Sequence, residues 1–288
     1  MFSCKRMVLV LATLLAGGSS LAAQEAQTPR DSLGWRRSIA SQLNLTQASF
    51  DNWAQGGENT LAWQIVGKVR FNYRAPRYTW TNSGSLDYGQ ARLGGQGYRK
   101  SSDELSLESV LAYDAPEILS PYVSVSILTQ IARGYRYEDS TAVAISDFMD
   151  PGYFTQSVGL SWTPSDEFTT RGGAALKETF TRNFPQYVDN PATTEVERSR
   201  VEPGINEVTE VNKAFHDNLL LASKLELFSN LKAFNQIDVN WASSITAKVS
   251  SYINVNLNVR LLYDSNVSSS RQLKQALAMG LSYTYLLD

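Results

Sequence analysis

The stretch YINVNLNVRLLYD, residues 252–264, decides the fold class because its apolar and polar side chains alternate with a strict period of two. The apolar set is Ile253, Val255, Leu257, Val259, Leu261 and Tyr263, and the polar set is Asn254, Asn256, Asn258 and Arg260. Successive side chains of a β-strand point to opposite faces, so this alternation gives one apolar and one polar face. A two-faced strand is predicted here.

The same alternation recurs along the chain, as in IDVNWASSITAKV (237–249) and TLAWQIVGKVRFNYR (60–74), and no helical period competes with it. It predicts twelve strands, over residues 37–47, 60–74, 77–90, 104–114, 121–133, 153–164, 167–178, 204–214, 217–229, 235–248, 252–264 and 274–287. The seventh and eighth have the weakest pattern. FTTRGGAALKETF is rich in Gly and Thr, and INEVTEVNK loses its phase around Val208.

The connections between these strands alternate in length. Those after even-numbered strands are short, as at Ala75-Pro76 and Ser250-Ser251, whereas those after odd-numbered strands are longer, up to the loop at 179–203. Short turns at one end and long loops at the other are typical of outer-membrane barrels. The prediction is an all-β, transmembrane, antiparallel up-and-down β-barrel of about 12 strands (10–14), with short periplasmic turns and long extracellular loops.

A soluble β-sandwich would also alternate, but strand length and the aromatic residues favour the membrane barrel. Most of the predicted strands are longer than the 5 or 6 residues usual in soluble sheets. Aromatic residues gather near both strand ends, as membrane interfaces select. The short-turn belt is predicted to contain Tyr73, Tyr78, Trp80, Trp162, Tyr283 and Tyr285, and the long-loop belt Trp63, Tyr88, Phe154, Phe228 and Tyr263.

The N-terminus has the pattern of a secretory signal. Lys5 and Arg6 precede the apolar run 7–16, and Ser20-Leu21-Ala22 is a small-x-small cleavage pattern. We therefore expect residues 1–22 to be a cleaved signal peptide, 23–36 a short periplasmic segment and 37–288 the barrel, exported to the bacterial outer membrane. Cys4 precedes the run, so the mature chain would contain no cysteine, disulfide or thiolate site.

Composition limits the partners. The 26 basic and 28 acidic residues nearly balance, and no basic block indicates nucleic-acid binding. Charged residues make up 19% of the chain, below the ~25% typical of soluble domains. No later segment offers about 18 consecutive apolar residues for a transmembrane helix. The expected partners are outer-membrane lipid and, because LAMGLSYTYLLD (277–288) resembles an outer-membrane insertion signal, the barrel-insertion machinery.

Several stretches resemble one bacterial family. They are LNLTQASFDNWAQGGENTL (43–61), SKLELFSN (223–230), IDVNW (237–241), ISDFMDPGYFTQSVGLSW (145–162) and the final strand. Together they resemble an outer-membrane β-barrel family catalogued only as a domain of unknown function. The resemblance implies a fold and a compartment, and it transfers no catalytic or binding residue.

The pair Gly56-Gly57 falls in the first long loop, between the first two strands. A phosphate cradle would require a helix after the glycines, and no helical pattern follows. The pair is therefore predicted to form a turn.

Enzyme chemistry is not predicted. A serine hydrolase of the membrane requires a histidine base with a serine nucleophile, and an omptin-like protease requires Asp and His at the outer rim. The single histidine, His216, lies in the short AFHDN turn at the periplasmic end. No cofactor and no metal site are predicted. Loop carboxylates such as Asp147 and Asp150 could bind calcium, but a solvated acidic loop accounts for them as well.

The polar face is the predicted functional surface. Alternation directs ten charged side chains inward as lumen-lining candidates: Lys68, Arg70, Asp87, Glu108, Lys224, Glu226, Asp238, Lys248, Arg260 and Lys274. A barrel of twelve strands lies between filled eight-stranded barrels and open porins, so both a pore and a lumen closed by ion pairs are compatible with it. Tyr113, Tyr135 and Tyr137 are predicted near the outer mouth, where they could stack on sugars or belong to the girdle.

Two functions remain open at this point. One is a porin-like passive channel or small-solute transporter whose inward charges set selectivity. The other is a closed barrel that serves as an envelope scaffold or surface-binding module through its extracellular loops. The loop at 179–203 would be its contact surface or, folded inward, a constriction of the lumen.

Overall fold

The computed structural model describes residues 33–51, 57–115, 118–138, 141–190, 193–234, 236–266 and 270–287. These residues form a closed antiparallel barrel of twelve strands and a separate two-stranded hairpin. The strands are β1 (Gly34–Ala48), β2 (Thr60–Arg74), β3 (Tyr78–Leu93), β4 (Arg99–Tyr113), β5 (Leu119–Thr129), β6 (Gly134–Glu138), β7 (Thr141–Ser146), β8 (Gly152–Ser165), β9 (Phe168–Phe180), β10 (Ser199–His216), β11 (Leu219–Asn230), β12 (Ile237–Lys248), β13 (Ile253–Tyr263) and β14 (Gln272–Leu287). The predicted fold class is confirmed, including the two strands with the weakest pattern.

Each barrel strand pairs with its chain neighbours, except that β5 pairs with β8. The barrel closes where β1 pairs with β14, from Arg37 opposite Leu287 to Asn44 opposite Gly280. The turns after β2, β4, β8, β10 and β12 are short. The first residues of β1 and the last residues of β14 lie at the same end of the barrel as these turns. We call it the short-turn end and the opposite end the long-loop end.

The hairpin of β6 and β7 was not predicted from the sequence. It stands in the connection between β5 and β8 and makes no strand pairing with the barrel. The connection between β9 and β10 contains one short 3-10 helix, Pro185–Tyr187. No helix among the residues the structure describes is both long and apolar enough to cross a membrane. The predicted signal peptide lies outside the described residues and stays a prediction.

The polarity of the barrel is inverted relative to a soluble domain. Among the described residues, fourteen buried side chains are polar or charged and six are apolar. Large apolar side chains such as Leu43, Leu107, Val158 and Leu257 are exposed on the exterior. A soluble sandwich would bury that apolar set in its core, whereas a transmembrane barrel presents it to lipid. The structure therefore excludes the sandwich.

Aromatic girdles stand at both ends of the exterior. At the short-turn end the Trp35 ring centroid lies 5.1 Å from Tyr73 and 6.0 Å from Trp80. At the long-loop end the Trp63 and Tyr88 centroids are 5.8 Å apart. Such belts occupy the headgroup level of a bilayer.

Two aromatic assignments from the sequence are wrong. Phe228 is buried in the interior because it has the inward parity of β11, where it lies opposite the buried Asn206. Tyr113 lies opposite Tyr78 at the short-turn end, so it is not at the outer mouth. Tyr135 and Tyr137 belong to β6 on the long-loop side, with ring centroids 6.3 Å apart.

The first long loop, between β1 and β2, requires glycine at position 57. Gly57 has a φ of +144°, and a Cβ there would lie 2.7 Å from the Phe50 ring. The Phe50 backbone N–H donates to the Asn59 side chain at 2.7 Å, which holds the two sides of the loop together. The positive φ and the close ring favour the predicted turn, while Gly56 lies outside the described residues.

Candidate functional site

The interior face is identified by contacts between strands that are not neighbours in the sheet. Lys224 of β11 donates to Glu108 of β4 at 3.0 Å. Four strands, β5, β8, β9 and β10, stand between these two along the shorter way round the barrel. Such a contact is possible only if both side chains cross the lumen. Alternation then fixes the interior face of each strand.

Six charged side chains form what we call the interior charge cluster: Arg70, Glu108, Arg171, Glu210, Lys224 and Glu226. Arg171 of β9 is ion-paired with Glu108 and, at 3.2 Å, with Glu210 of β10. Glu210 is 3.6 Å from Arg70, and their strands are diametrically opposite with five strands on either side. Lys224 also contacts Glu226 at 2.7 Å. The cluster therefore connects opposite walls.

A second bridge crosses the lumen beside this cluster. Arg260 of β13 is ion-paired with Glu104 of β4 and donates to Asn240 at 3.0 Å. Asn240 in turn donates to Glu226 at 2.7 Å, which joins the bridge to the interior charge cluster. Lys274 of β14 reaches the Ser102 hydroxyl on β4 at 2.5 Å.

A third group of charges lies at the long-loop mouth. The Lys177 ammonium is 2.7 Å from Asp238 and 2.9 Å from Asp264, and it lies 5.5 Å from the centre of the Phe228 ring. Glu202 accepts from Arg200 at 3.0 Å on the neighbouring strand. These contacts attach the loop after β13 to the interior wall of β9 and β12.

Three further predicted residues, Asp87, Lys68 and Lys248, also lie on the interior wall. Asp87 accepts from Gln64 at 2.6 Å, and Gln64 accepts from Asn44 at 3.0 Å, which gives a polar row across β3, β2 and β1. Lys68 lies opposite Ala40 and Ser85 on the interior face. Lys248 lies at the short-turn end of β12 opposite Asn254, and none of the described carboxylates forms an ion pair with it.

Side-chain exposure differs sharply along the lumen. Arg171 is 5% exposed and Glu108 10%, whereas Arg70, on the same interior face and in register with Glu108 through Ser83, is 52% exposed. Lys224 and Glu226 are intermediate at 31% and 33%. The interior is therefore accessible to water at Arg70 and closely packed where Glu108 meets Arg171.

Sequence reasoning did not select several interior charges: Glu104, Arg171, Lys177, Arg200, Glu202, Glu210 and Asp264. Five of these lie on β9 and β10, whose weak alternation concealed which face is interior. The spacing of Arg171 and Lys177, six residues apart, places both on one face of β9 and was the available signal. The partners across the lumen could not be found because they depend on barrel closure.

The loop after β7 is fixed by a buried carboxylate. Asp150 accepts hydrogen bonds from the backbone N–H groups of Arg182 and Asn183, both at 2.8 Å, and from the Thr181 hydroxyl at 2.5 Å. Burial alone would raise the pKa of Asp150, but these hydrogen bonds outweigh it and hold the pKa below its ordinary value. Asp150 is therefore an anchor for the loop 181–198 and not a solvated acid.

The described residues contain no arrangement of side chains typical of a catalytic site or a metal site. His216 is the exposed last residue of β10, opposite Leu219 at the short-turn end. Asp147 is engaged with Arg133 at 2.6 Å. No cluster of three or more His, Cys, Asp or Glu that could hold a metal ion occurs among the described residues.

The fold and its interior define the class: a twelve-stranded transmembrane β-barrel whose polar lumen is crossed by ion pairs. A family model described as "Protein of unknown function (DUF3078)" matches residues 45–135. The match confirms, over that part of the chain, the predicted resemblance to a family known only as a domain of unknown function. Comparison with curated proteins gave no match.

Solved structures of outer-membrane proteins are similar at low identity. The translocator domain of the autotransporter NalP from Neisseria meningitidis is 13% identical, with 88% of this chain and 89% of that chain covered and a TM-score of 0.39. An outer-membrane channel from Pseudomonas putida F1 is 10% identical, with coverage of 94% and 99% and a TM-score of 0.40. The KdgM porin is 9% identical, with coverage of 86% and 98% and a TM-score of 0.30. Values this low assign no function.

Proposed function

We propose that the protein is a porin-like passive channel for small solutes in the bacterial outer membrane, with its constriction at the interior charge cluster. The signal pattern, the inverted polarity and the two aromatic girdles support that location. Lipid would then contact the apolar exterior, and the C-terminal strand would direct insertion by the barrel-assembly machinery.

The half-exposed Arg70 is the observation that carries this proposal. Its guanidinium lies on the interior face, in ion-pair contact with the opposite wall, yet half of the side chain remains accessible. A lumen filled by packed side chains, as in eight-stranded barrels, would bury it. The exposure therefore supports a water-filled space in the lumen beside the cluster.

The cluster itself would set conductance and selectivity. Glu108, Arg171 and Lys224 meet from three strands with both signs of charge, and the first two are almost fully buried. Charged side chains at a constriction determine which ions and solutes pass. Because both signs are present, weak ion selectivity and a preference for small polar solutes follow from this arrangement.

Single-channel recording in a planar bilayer tests the proposal. The wild-type barrel should give a small, steady conductance that increases with salt. The charge-balanced double variant Glu108→Gln with Lys224→Gln should conduct more, because the contact across the lumen is lost while the net charge is unchanged. The matched control is Arg136→Gln with Glu138→Gln, an exposed ion pair at 2.6 Å on the hairpin. It should leave the conductance unchanged.

A second function is favoured by the same contacts across the lumen. If the ion pairs stay formed, the barrel is closed and acts as a scaffold or surface-binding module. The anchored loop 181–198 would be its contact surface, since Gln186 also donates to the Ile145 backbone carbonyl of β7 at 3.2 Å. A folded but electrically silent wild-type barrel and double variant would support this function over the channel.

A further inference from the structure

Glu207 is a carboxylate on the exterior of the barrel. It has the opposite parity to Glu210 on β10, and Glu210 faces the lumen through its contacts with Arg70 and Arg171. The pairing of β10 with β9 runs without a bulge through both positions. Its neighbour Val208 is buried inside, opposite Arg171. The alternation of INEVTEVNK is therefore irregular because Glu207, a charged residue, faces the exterior and Val208, an apolar residue, faces the lumen.

Two threonine hydroxyls hold the Glu207 side chain. Thr170 of β9 donates to Glu207 Oε1 at 2.8 Å, and Thr209 contacts the same oxygen. The Thr170 and Thr209 hydroxyls are 2.8 Å apart, so the three side chains form one exterior polar group. Within the described chain, the second carboxylate oxygen, Oε2, has no hydrogen-bond partner.

The position of Glu207 differs from that of other exterior carboxylates on the strands. Glu178 lies opposite Phe154 at the long-loop girdle, and Asp103, opposite Tyr88 there, is only 2% exposed because it accepts from the backbone N–H groups of Ile131 and Ala132. Glu207 instead lies opposite Gly172, whose other partner is the exposed Leu160. A carboxylate within the apolar band is unfavourable, and in membranes such a group marks a functional site with a partner.

A groove adjoins this polar group on the same exterior face. Its volume is about 470 Å³, and its lining includes Leu119, Leu160, Trp162, Thr170 and Gly172. Gly172 forms part of the floor because it has no side chain. A Cβ added there would approach no atom closer than 3.4 Å, so packing within the barrel does not require glycine.

We propose that this groove binds one phospholipid with a primary ammonium headgroup, whose amine pairs with Glu207 while an acyl chain lies over Gly172. The free carboxylate oxygen matches an ammonium donor in charge and hydrogen-bonding capacity. Trp162 is exposed and packs against Phe168, with ring centroids 6.0 Å apart, so it marks the headgroup level at this face. Glu207 lies two register pairs further along the strands from the Trp162 and Thr170 pair, at the next exterior position and within reach of a headgroup amine.

A second copy of the chain fits this face less well than a lipid. A two-fold contact here would bring two Glu207 carboxylates together, which is repulsive. Lys213, on the same exterior face of β10, is already 3.3 Å from Glu167. The lipid therefore has the better charge complementarity.

Native mass spectrometry of the barrel released from vesicles tests this inference. The vesicles contain equal amounts of phosphatidylethanolamine and phosphatidylcholine with a minor phosphatidylglycerol fraction. The wild type should retain one phosphatidylethanolamine in preference to phosphatidylcholine, whose quaternary ammonium has no N–H. Glu207→Gln should reduce that preference about tenfold, as expected for loss of one hydrogen bond to a charged group. Glu178→Gln is the matched control and should behave as the wild type.

Gly172→Leu gives a second, independent variant because it fills the groove without removing the carboxylate. It should lose retention of both lipids while keeping the gel mobility of a folded barrel. Equal retention of the two lipids by the wild type, or an unchanged preference in Glu207→Gln, would overturn the inference. A dimer that Glu207→Gln or Gly172→Leu disrupts would overturn it in favour of a second copy. None of these measurements depends on conductance, although the inference does rest on a membrane location.

Discussion

Glu108 on β4 and Lys224 on β11 are ion-paired at 3.0 Å although their strands stand on opposite sides of the barrel. Arg171 contacts the same carboxylate from a third strand. The Glu108 carboxylate thus connects three strands, β4, β9 and β11. Ion pairs across the lumen stabilise the barrel in addition to the hydrogen bonds of its sheet, and we call this set of contacts the brace.

The first prediction concerns this brace. Glu108→Gln should lower the free energy of unfolding by about 3 kcal/mol, because it leaves the buried Arg171 and the partly buried Lys224 short of an anion. The double variant Glu108→Gln with Lys224→Gln should recover part of the loss. Denaturant unfolding of the refolded barrel, followed by tryptophan fluorescence, measures both. Single and double variants as stable as the wild type would show that the contact contributes nothing to stability.

The second prediction concerns the loop 181–198. Asp150→Asn should speed hydrogen exchange of the Arg182 and Asn183 amides about tenfold or more, since both donate to that carboxylate. Asp147→Asn, which weakens the ion pair with Arg133 and a hydrogen bond from the Phe148 backbone N–H but leaves the Asp150 carboxylate in place, is the control.

The same anchor has a pH dependence with a defined sign. The pKa of Asp150 is lowered in the folded protein, so the carboxylate stabilises the loop above the ordinary pKa of an aspartate. That stabilisation should fade as the pH falls through the ordinary pKa towards the lowered one. Amide protection at residues 182 and 183, corrected for intrinsic exchange rates, should decrease in this acid range in the wild type and stay flat in Asp150→Asn. Identical profiles in the two proteins would refute the anchor.

The third prediction concerns closure of the barrel. A Cβ at Gly280 would lie 2.8 Å from the Leu43 backbone oxygen and would also collide with Asn44, at the pairing of β14 with β1. Gly280→Val should therefore prevent closure and abolish the heat-modifiable mobility of the folded barrel on gels. Gly67→Ala, where the nearest atom is 3.8 Å away, should fold normally. A Gly280→Val variant that folds with normal yield would contradict this account of the β1–β14 pairing.

The fourth prediction concerns selectivity. Lys248 lies on the interior face near the short-turn end and has no ion-pair partner among the described residues, so its charge is free to act on passing ions. Lys248→Glu should shift the reversal potential in a salt gradient towards cation selectivity, whereas Lys232→Glu, in the turn after β11, should shift it much less. Arg260, selected with Lys248 from the sequence, is already paired with Glu104, so its substitution would perturb the bridge as well. Unchanged selectivity in a conducting Lys248→Glu barrel would exclude this role.

Much of the fold could be predicted from sequence because a two-residue period is a local property. Strands such as β13 and β2 are specified by their own alternation, and the short turns and long loops supply the topology. The β6–β7 hairpin was missed because Gly134–Glu138 and Thr141–Ser146 are too short and too mixed to show a period. Phe228 was misplaced because its position near a strand end outweighed its parity.

The candidate site could be predicted only in part. Alternation alone identifies inward charges such as Glu108 and Lys224, but not which of them meet. The contact between Arg70 and Glu210 depends on closure of the sheet and on the shape of its cross-section, which no local pattern encodes. In the sequence, the exterior carboxylate Glu207 was detectable only as an irregularity in the alternation around Val208. Its exterior position could be assigned only from the register of β9 and β10.

The proposed channel depends on the interior charge cluster as the constriction of a conducting lumen. Single-channel conductance of the wild type, of Glu108→Gln with Lys224→Gln, and of the hairpin control tests it most directly. The wild type should give a small conductance, the double variant a clearly larger one, and the hairpin control the same conductance as the wild type. A double variant that conducts no more than the wild type, or a folded barrel that stays silent in all three forms, would contradict it.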